Sequence, residues 1–199
     1  MGLVLGIPSQ LLQPFDKKKK RFLPYSALNP RVYFVLQTEE GDEIGRVTFK
    51  LFAHLLPKIC ENFRSLCTGE KESDLGFDYT YKGTYLHLIN KNQKVIVGGD
   101  IVNKNGSGGY SIYGPSFNDK PKQVDYRRRG FLFMLTERAR SNKVDSQFFI
   151  CLDTPKEIHD GIPFGYVEEG LRVLEGLLQY SDPNGIPRKK IIISDCGQF

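Results

Sequence analysis

Four cysteines and three histidines are the first candidates for chemistry in this 199-residue chain, and their spacing removes one class at once. Cys60, Cys67, Cys151 and Cys196 form no C-x-x-C pair, and His54, His87 and His159 stand apart, so no zinc-binding spacing exists. The thiols read as buried and reduced, the usual state of unpaired cysteine. A second candidate is the run from Gly98 to Gly114, GGDIVNKNGSGGYSIYG, with six glycines in seventeen residues. Such a run suggests a phosphate cradle, yet neither G-x-x-x-x-G-K-[ST] nor a G-x-G-x-x-G turn between strand and helix is present. It leads into Ser111, Ile112, Tyr113, Gly114 and Pro115, another turn, so it reads as the wall or rim of a β-rich body. Glycine there permits positive φ and close backbone approach. Gln147, set beside Phe148 and Phe149, must find polar partners if it is buried. Last comes the basic run Lys17, Lys18, Lys19, Lys20 and Arg21, suited to an acidic macromolecule or to nuclear import.

These residues need a body to hold them. A hydrophobic content of 40% with 12% aromatics is a globular composition, and the length suits one domain with a full core. No run of 18 apolar residues occurs, and the first residues lack a basic signal-peptide head and a myristoylation pattern. The expectation is a soluble, intracellular protein of the cytoplasm, with the nucleus open. Of the net charge of +5, the five basic residues against Asp16 put +4 on residues 1–30 and leave +1 on residues 31–199. A nearly neutral body argues against a folded nucleic-acid reader with a basic face. Residues 1–30 therefore separate as a basic, proline-containing extension with Pro8, Pro14, Pro24 and Pro30, and residues 31–199 as the folded domain. Leu11, Leu12, Phe15, Phe22 and Leu23 fit a docking arm, whereas the charge run alone fits a solvated tail.

Within the domain, alternation from Val32 to Leu36 and from Ile44 to Leu51 about the turn at Glu40, Gly41 and Asp42 predicts a hairpin. Pro57, then Ile59, Phe63, Leu66 and Cys67 at helical spacing, then Gly69, mark an amphipathic helix. Short strands are predicted at 84–89, 94–97, 130–135, 146–151 and 162–167, a second helix at 169–180, and a closing strand at Ile191, Ile192 and Ile193. This suits an all-β barrel or sandwich.

The glycine run, the block from Glu61 to Lys71 (ENFRSLCTGEK), the block from Ser146 to Ile150 and the terminal Asp195, Cys196, Gly197 and Gln198 together resemble the cyclophilin family of peptidyl-prolyl isomerases, in family order across residues 31–199. The resemblance implies a closed eight-stranded antiparallel barrel capped by two helices, a groove for proline-containing peptides and no cofactor. It also implies an arginine that donates to the prolyl nitrogen as that nitrogen becomes pyramidal, a contact made mainly in the transition state. That arginine follows the strand histidine, here His87, so its position is held by Leu88, which has no donor. The tract from His87 to Gly98 is one residue longer than the family's, so a shifted register could bring Lys91 or Lys94 into the space. Gln147, Phe149 and Met134 match the family's groove. Leu135 and Thr136 stand for its alanine and asparagine, Val97 for its glutamine, and Ile158 for the tryptophan that contacts cyclosporin in many members. The segment from Gly161 to Phe164 is too short to present the family's pocket histidine. Phe149 suits a core as well as a pocket, and His87 suits a hydrogen-bonded structural role.

Two functions follow. One is a degenerate isomerase acting as a proline-peptide or protein binding module, or as a fixed subunit of a larger assembly. The other is an active but slow isomerase assisting folding. Activity is expected to be weak or absent and cyclosporin binding weak or absent. An acidic assembly, cytoskeletal or ribonucleoprotein, is the partner expected for the arm.

Overall fold

The computed structural model describes residues 29–119, 124, 126–139, 141–155 and 157–199. The basic run Lys17–Arg21 lies outside the described residues. The predicted hairpin forms as β1 (Arg31–Thr38) and β2 (Glu43–Leu51), in the register Val32 to Phe49 and Phe34 to Val47. Its alternating residues Val32, Phe34 and Leu36 enter the core. Helix α1 (Pro57–Thr68) starts on Pro57 and stops at Gly69, whose φ of 65° places it in the left-handed region that ends helices. Its apolar stripe buries Ile59, Cys60, Phe63, Leu66 and Cys67. Phe63 is the hub, with the rings of Phe34, Phe49, Tyr81, Phe148 and Phe164 at 5.0–6.2 Å. Fully burying such a ring stabilises by roughly 1.5–3 kcal/mol.

The remaining elements are β3 (Leu88–Asn90), β4 (Val95–Gly98), β5 (Phe117–Asn118), β6 (Phe131–Thr136), β7 (Lys143–Cys151), β8 (Gly161–Glu169), α2 (Leu171–Gly176) and β9 (Ile191–Gln198). The strands run in the order β3-β4-β7-β6-β8-β2-β1-β9, with the short β5 added to β7, and all their pairings are antiparallel.

The sheet corrects the expectation of a closed eight-stranded barrel. It has nine strands among the described residues and curls through 235° into an open half-barrel. The edges β3 and β9 do not form a ladder with each other. The chain just before β3 approaches β9 through one bridge, Tyr85 to Ile192. Gly83 takes a φ of 77°, and Thr84 bends back to donate its hydroxyl to the Tyr81 carbonyl at 2.7 Å, which breaks the strand there. Further along, the amide of Ile89 donates to Gly185 rather than to β9. The predicted strand 84–89 is thus reduced to Leu88–Asn90 plus that bridge.

The second predicted helix forms over residues 171–180, starting two residues later than expected. Glu169 ends β8, Gly170 turns at a φ of 85°, and α2 tightens after Gly176 into a 3-10 turn over Leu177–Tyr180. The leucines at helical spacing are buried at Leu174, Leu177 and Leu178. No helix among the described residues is long and apolar enough to cross a membrane. All four cysteines are free. Cys60, Cys67 and Cys151 are buried as expected, while Cys196 is only half-buried, with burial pushing its thiol up to about 11.

Candidate functional site

Two faces of one sheet separate the residues the sequence singled out. Along β6, Leu132 and Met134 point into the central core, and Phe131, Phe133 and Leu135 belong to a second apolar cluster on the other side. That cluster contains Phe52, Phe131, Phe133, Phe149 and Cys151, with Val97, Leu135, Ile158, Tyr126 and Tyr166 packed against it. Val97, Leu135, Phe149 and Ile158 are thereby brought together. Met134 is not: it is fully buried in the central core and pairs across the sheet with Phe148. A ligand on the outer face cannot touch it. Thr136 is also withdrawn, with its hydroxyl donating to the Arg138 carbonyl at 3.0 Å.

The register orders the outer face into a row. Leu88 pairs with Val97, Val97 with Phe149, and Phe149 with Phe133. Directly opposed residues share a face, so these four side chains lie side by side across β3, β4, β7 and β6. Phe149 and Phe133 stack at 4.8 Å with planes 3° apart. The shortened segment that begins at Gly161 closes over this pair. A Cβ at Gly161 would lie 2.5 Å from the edge of the Phe149 ring, and Phe149 is only 5% exposed. Its two sequence readings merge: it is a core ring at the base of the face.

The ladder also decides between the two registers considered for β3 and β4. Pairing runs unshifted from Leu88–Val97 through Ile89–Ile96 to Asn90–Val95. The extra residue is absorbed in the turn beyond, where Lys94 takes a φ of 56° and Asn90 accepts the amide of Gln93 at 2.9 Å. Lys91 and Lys94 are exposed in that turn, on the far side of Asn90 from Leu88. Neither is placed beside Leu88.

The glycine run is the wall that flanks this row, and Asp100 organises it. Its buried carboxylate accepts five backbone N–H groups, from Val102 and Asn103 at one oxygen and from Asn105, Gly106 and Gly108 at the other, at 2.8–3.1 Å. Burial alone would push its pKa up. The N–H groups of Asn103, Gly108, Asn105 and Gly106 outweigh that, and the carboxyl titrates below its ordinary value. Gly99 shows why this path excludes side chains: it has a φ of 93°, and a Cβ there would sit 2.4 Å from the Ser146 carbonyl oxygen. Gln147 finds the partners its type demands, since its amide donates to the carbonyls of Gly106 at 3.3 Å and Gly108 at 2.8 Å. Asn62 of α1 ties the far end, donating to the Asp145 carbonyl and accepting the amide of Ile112.

His87 packs against this wall, close enough that a Cβ at Gly106 would lie 2.6 Å from its ring. It differs from the expected hydrogen-bonded histidine, because Nδ1 is buried without a hydrogen-bond partner. Burial lowers its pKa, against an opposing pull from Asp100. Among the described residues no group of His, Cys, Asp and Glu side chains is arranged to hold a metal ion.

Sequence reasoning missed Phe133 and Gly161 as parts of the site. The alternation of Phe131, Phe133 and Leu135 with Leu132 and Met134 was the available signal, since a strand with apolar residues at every position is buried on both faces.

A curled antiparallel half-barrel with a helix in its mouth, an apolar outer row and a carboxylate-pinned glycine wall defines the class of this domain. The family model described as cyclophilin type peptidyl-prolyl cis-trans isomerase/CLD matches residues 33–198, and the chain belongs to that family.

Proposed function

We propose that this chain is a cyclophilin-type domain that works as a binding module or a fixed subunit of an assembly, with little isomerase activity. The observation that carries this reading is Leu88. It holds the position of the family's arginine and lies in an apolar row with Val97, Phe149 and Phe133. Rotation about a peptide bond faces a barrier of roughly 18–20 kcal/mol. Lowering it requires a donor at the prolyl nitrogen, and leucine supplies none. Gln147, the groove's amide, already spends its donors on the glycine wall. What the face retains above the buried Phe149 and Phe133 is the partly exposed Leu88, Val97, Leu135 and Ile158, apolar side chains suited to holding a proline ring or a flat segment of a partner rather than turning one over. Cyclosporin meets the same altered surface, with Ile158 rather than tryptophan at its contact.

The arm supplies the second half of the reading, because Lys17–Arg21 would speed and orient the encounter with an acidic partner while Leu11, Leu12, Phe15, Phe22 and Leu23 bury. The test is capture of partners from lysate by the full chain and by a version with alanine at Lys17, Lys18, Lys19, Lys20 and Arg21. Loss of a salt-sensitive set of acidic partners from the second version is expected. Equal recovery of the same partners by both contradicts a docking role for the run.

Residues 31–199 are proposed as the folding unit, with the arm outside it. Asn29 qualifies where a truncation belongs. It is buried, and its side-chain oxygen accepts the amide of His54 at 3.3 Å, so the cut should fall before it. Such a truncation is expected to move the melting temperature by no more than about 4 °C, read by circular dichroism. An insoluble product would show the arm to be part of the core.

A further inference from the structure

We infer that the turn 91–94 and the loop 181–190 together form a docking surface for an acidic protein segment carrying an aliphatic residue, at the Leu88 end of the outer apolar row. The near-neutral total charge of residues 31–199 hides a local concentration of cations here, in Lys91, Lys94, Arg188, Lys189 and Lys190. The two segments are packed together. The amide of Lys91 donates to Ser181 Oγ at 3.4 Å, Ile89 donates to the carbonyl of Gly185 at 2.8 Å, and Gly185 lies buried against Asn90 and Leu88.

Each segment is stiff. The loop closes on itself through the bridge between Ser181 and Pro187, through Arg188 donating to Tyr180 at 2.7 Å, and through Asp182 Oδ1, which accepts the amides of Asn184 and Ile186. The turn is held by Asn90, whose side chain accepts the Gln93 amide and donates to the Gln93 side chain. Cations carried on fixed backbone lose less freedom on binding than the same charges on a tail.

Only part of the charge is met internally. Glu39 takes Lys190 at 2.9 Å, and Lys189 lies near enough to Glu40 to help lower its pKa, after larger contributions from that residue's own backbone and Thr38. Lys91, Lys94 and Arg188 are exposed and form no ion pair among the described residues. Beside them Ile186 is 62% exposed at the tip of the loop. An exposed aliphatic residue carried on the same packed pair of segments as three unpaired cations is complementary to an acidic segment with an apolar side chain. A single-stranded nucleic acid fits less well, since it would want an open aromatic platform, and the neighbouring Tyr85 ring is already covered by the Lys190 ammonium 5.4 Å from its centroid.

The test uses the full chain with alanine at Lys17, Lys18, Lys19, Lys20 and Arg21, so that the arm does not compete. The probe is a short fluorescein-labelled peptide alternating Glu and Leu, read by anisotropy at low salt, with oligouridylate as the nucleic-acid arm. Combining Lys91→Ala, Lys94→Ala and Arg188→Ala is expected to weaken peptide binding about tenfold, as the loss of three exposed charge pairs implies. Ile186→Ser, tested separately, is expected to weaken it about threefold through lost apolar burial. Lys91, Lys94, Ile186 and Arg188 are all exposed, and an unaltered melting temperature confirms that the fold is kept. Peptide affinity unchanged by the triple substitution, no peptide binding at all, or oligouridylate binding tighter and displacing the peptide would each overturn the inference.

Discussion

Replacing Asp100 by alanine is expected to destabilise the domain by about 4 kcal/mol, a size reached when a buried charged acceptor is removed from several donors at once. Five backbone N–H groups converge on this carboxylate, and none of Val102, Asn103, Asn105, Gly106 or Gly108 belongs to a strand or helix that could receive it instead. At roughly 2–4 °C per kcal/mol for a domain of this size, the melting temperature should fall by about 10–15 °C. Asp100→Asn keeps the shape and one acceptor oxygen, so its loss should be about half as large. The same residue gives a pH signature. Its folded pKa lies below the ordinary 3.8, so its contribution is fully present above that value and is lost as pH falls through the folded pKa. Acid unfolding of the native chain below about pH 4 should therefore be steeper than that of Asp100→Asn, which has no proton to take up there. An alanine variant that melts within about 2 °C of the native chain would show that the glycine wall is held by something other than this carboxylate.

The parts of the fold that were legible in the sequence are those where local and tertiary demands agree. Pro57 and Gly69 bound α1 as expected, and the stripe between them is the buried one. The hairpin about Gly41, whose φ is 95°, has the strands and turn that its alternation implies. What was not legible depends on contacts distant in sequence. Whether the sheet closes rests on how residues 83–86 meet β9, about a hundred positions away, and on Gly185 taking the Ile89 amide. The start of the second helix was placed two residues early because the leucine spacing does not show the turn at Gly170, whose φ is 85°, nor the tightening to a 3-10 turn after Gly176.

In the site, the row from Leu88 to Phe149 follows from motif positions, whereas Met134, matched to the groove by resemblance, points into the core. The resemblance fixes its place along the strand, and only the pairing with Phe148 fixes its direction. A single step along a strand exchanges core for surface, which is why Leu135 and Met134 part company. The basic surface at 181–190 escaped notice for a related reason. Net charge sums over a chain, while a partner meets only the residues that folding has gathered on one side.

The second large effect concerns catalysis and bears on the whole account. A charge-assisted hydrogen bond worth roughly 1.5–3 kcal/mol corresponds to on the order of ten- to a hundredfold in rate. On the proposed reading Leu88 lacks it, and Val97 and Leu135 reduce the polarity and room beside it. The chain should therefore isomerise a proline tetrapeptide on the order of ten- to a hundredfold more slowly than a groove that carries the arginine. Leu88→Arg restores a donor on the same face, in a row whose register is unshifted and where position 88 pairs with Val97. Some recovery is expected, though short of a full groove, because Gln147 remains tied to Gly106 and Gly108. The direct measurement is a protease-coupled isomerase assay on that tetrapeptide, run on the native chain and on Leu88→Arg side by side. The account predicts a native rate only slightly above the uncatalysed one and a rise of about tenfold or more in catalysed rate for the variant. A native rate well above the uncatalysed one, unchanged by Leu88→Arg, would contradict it.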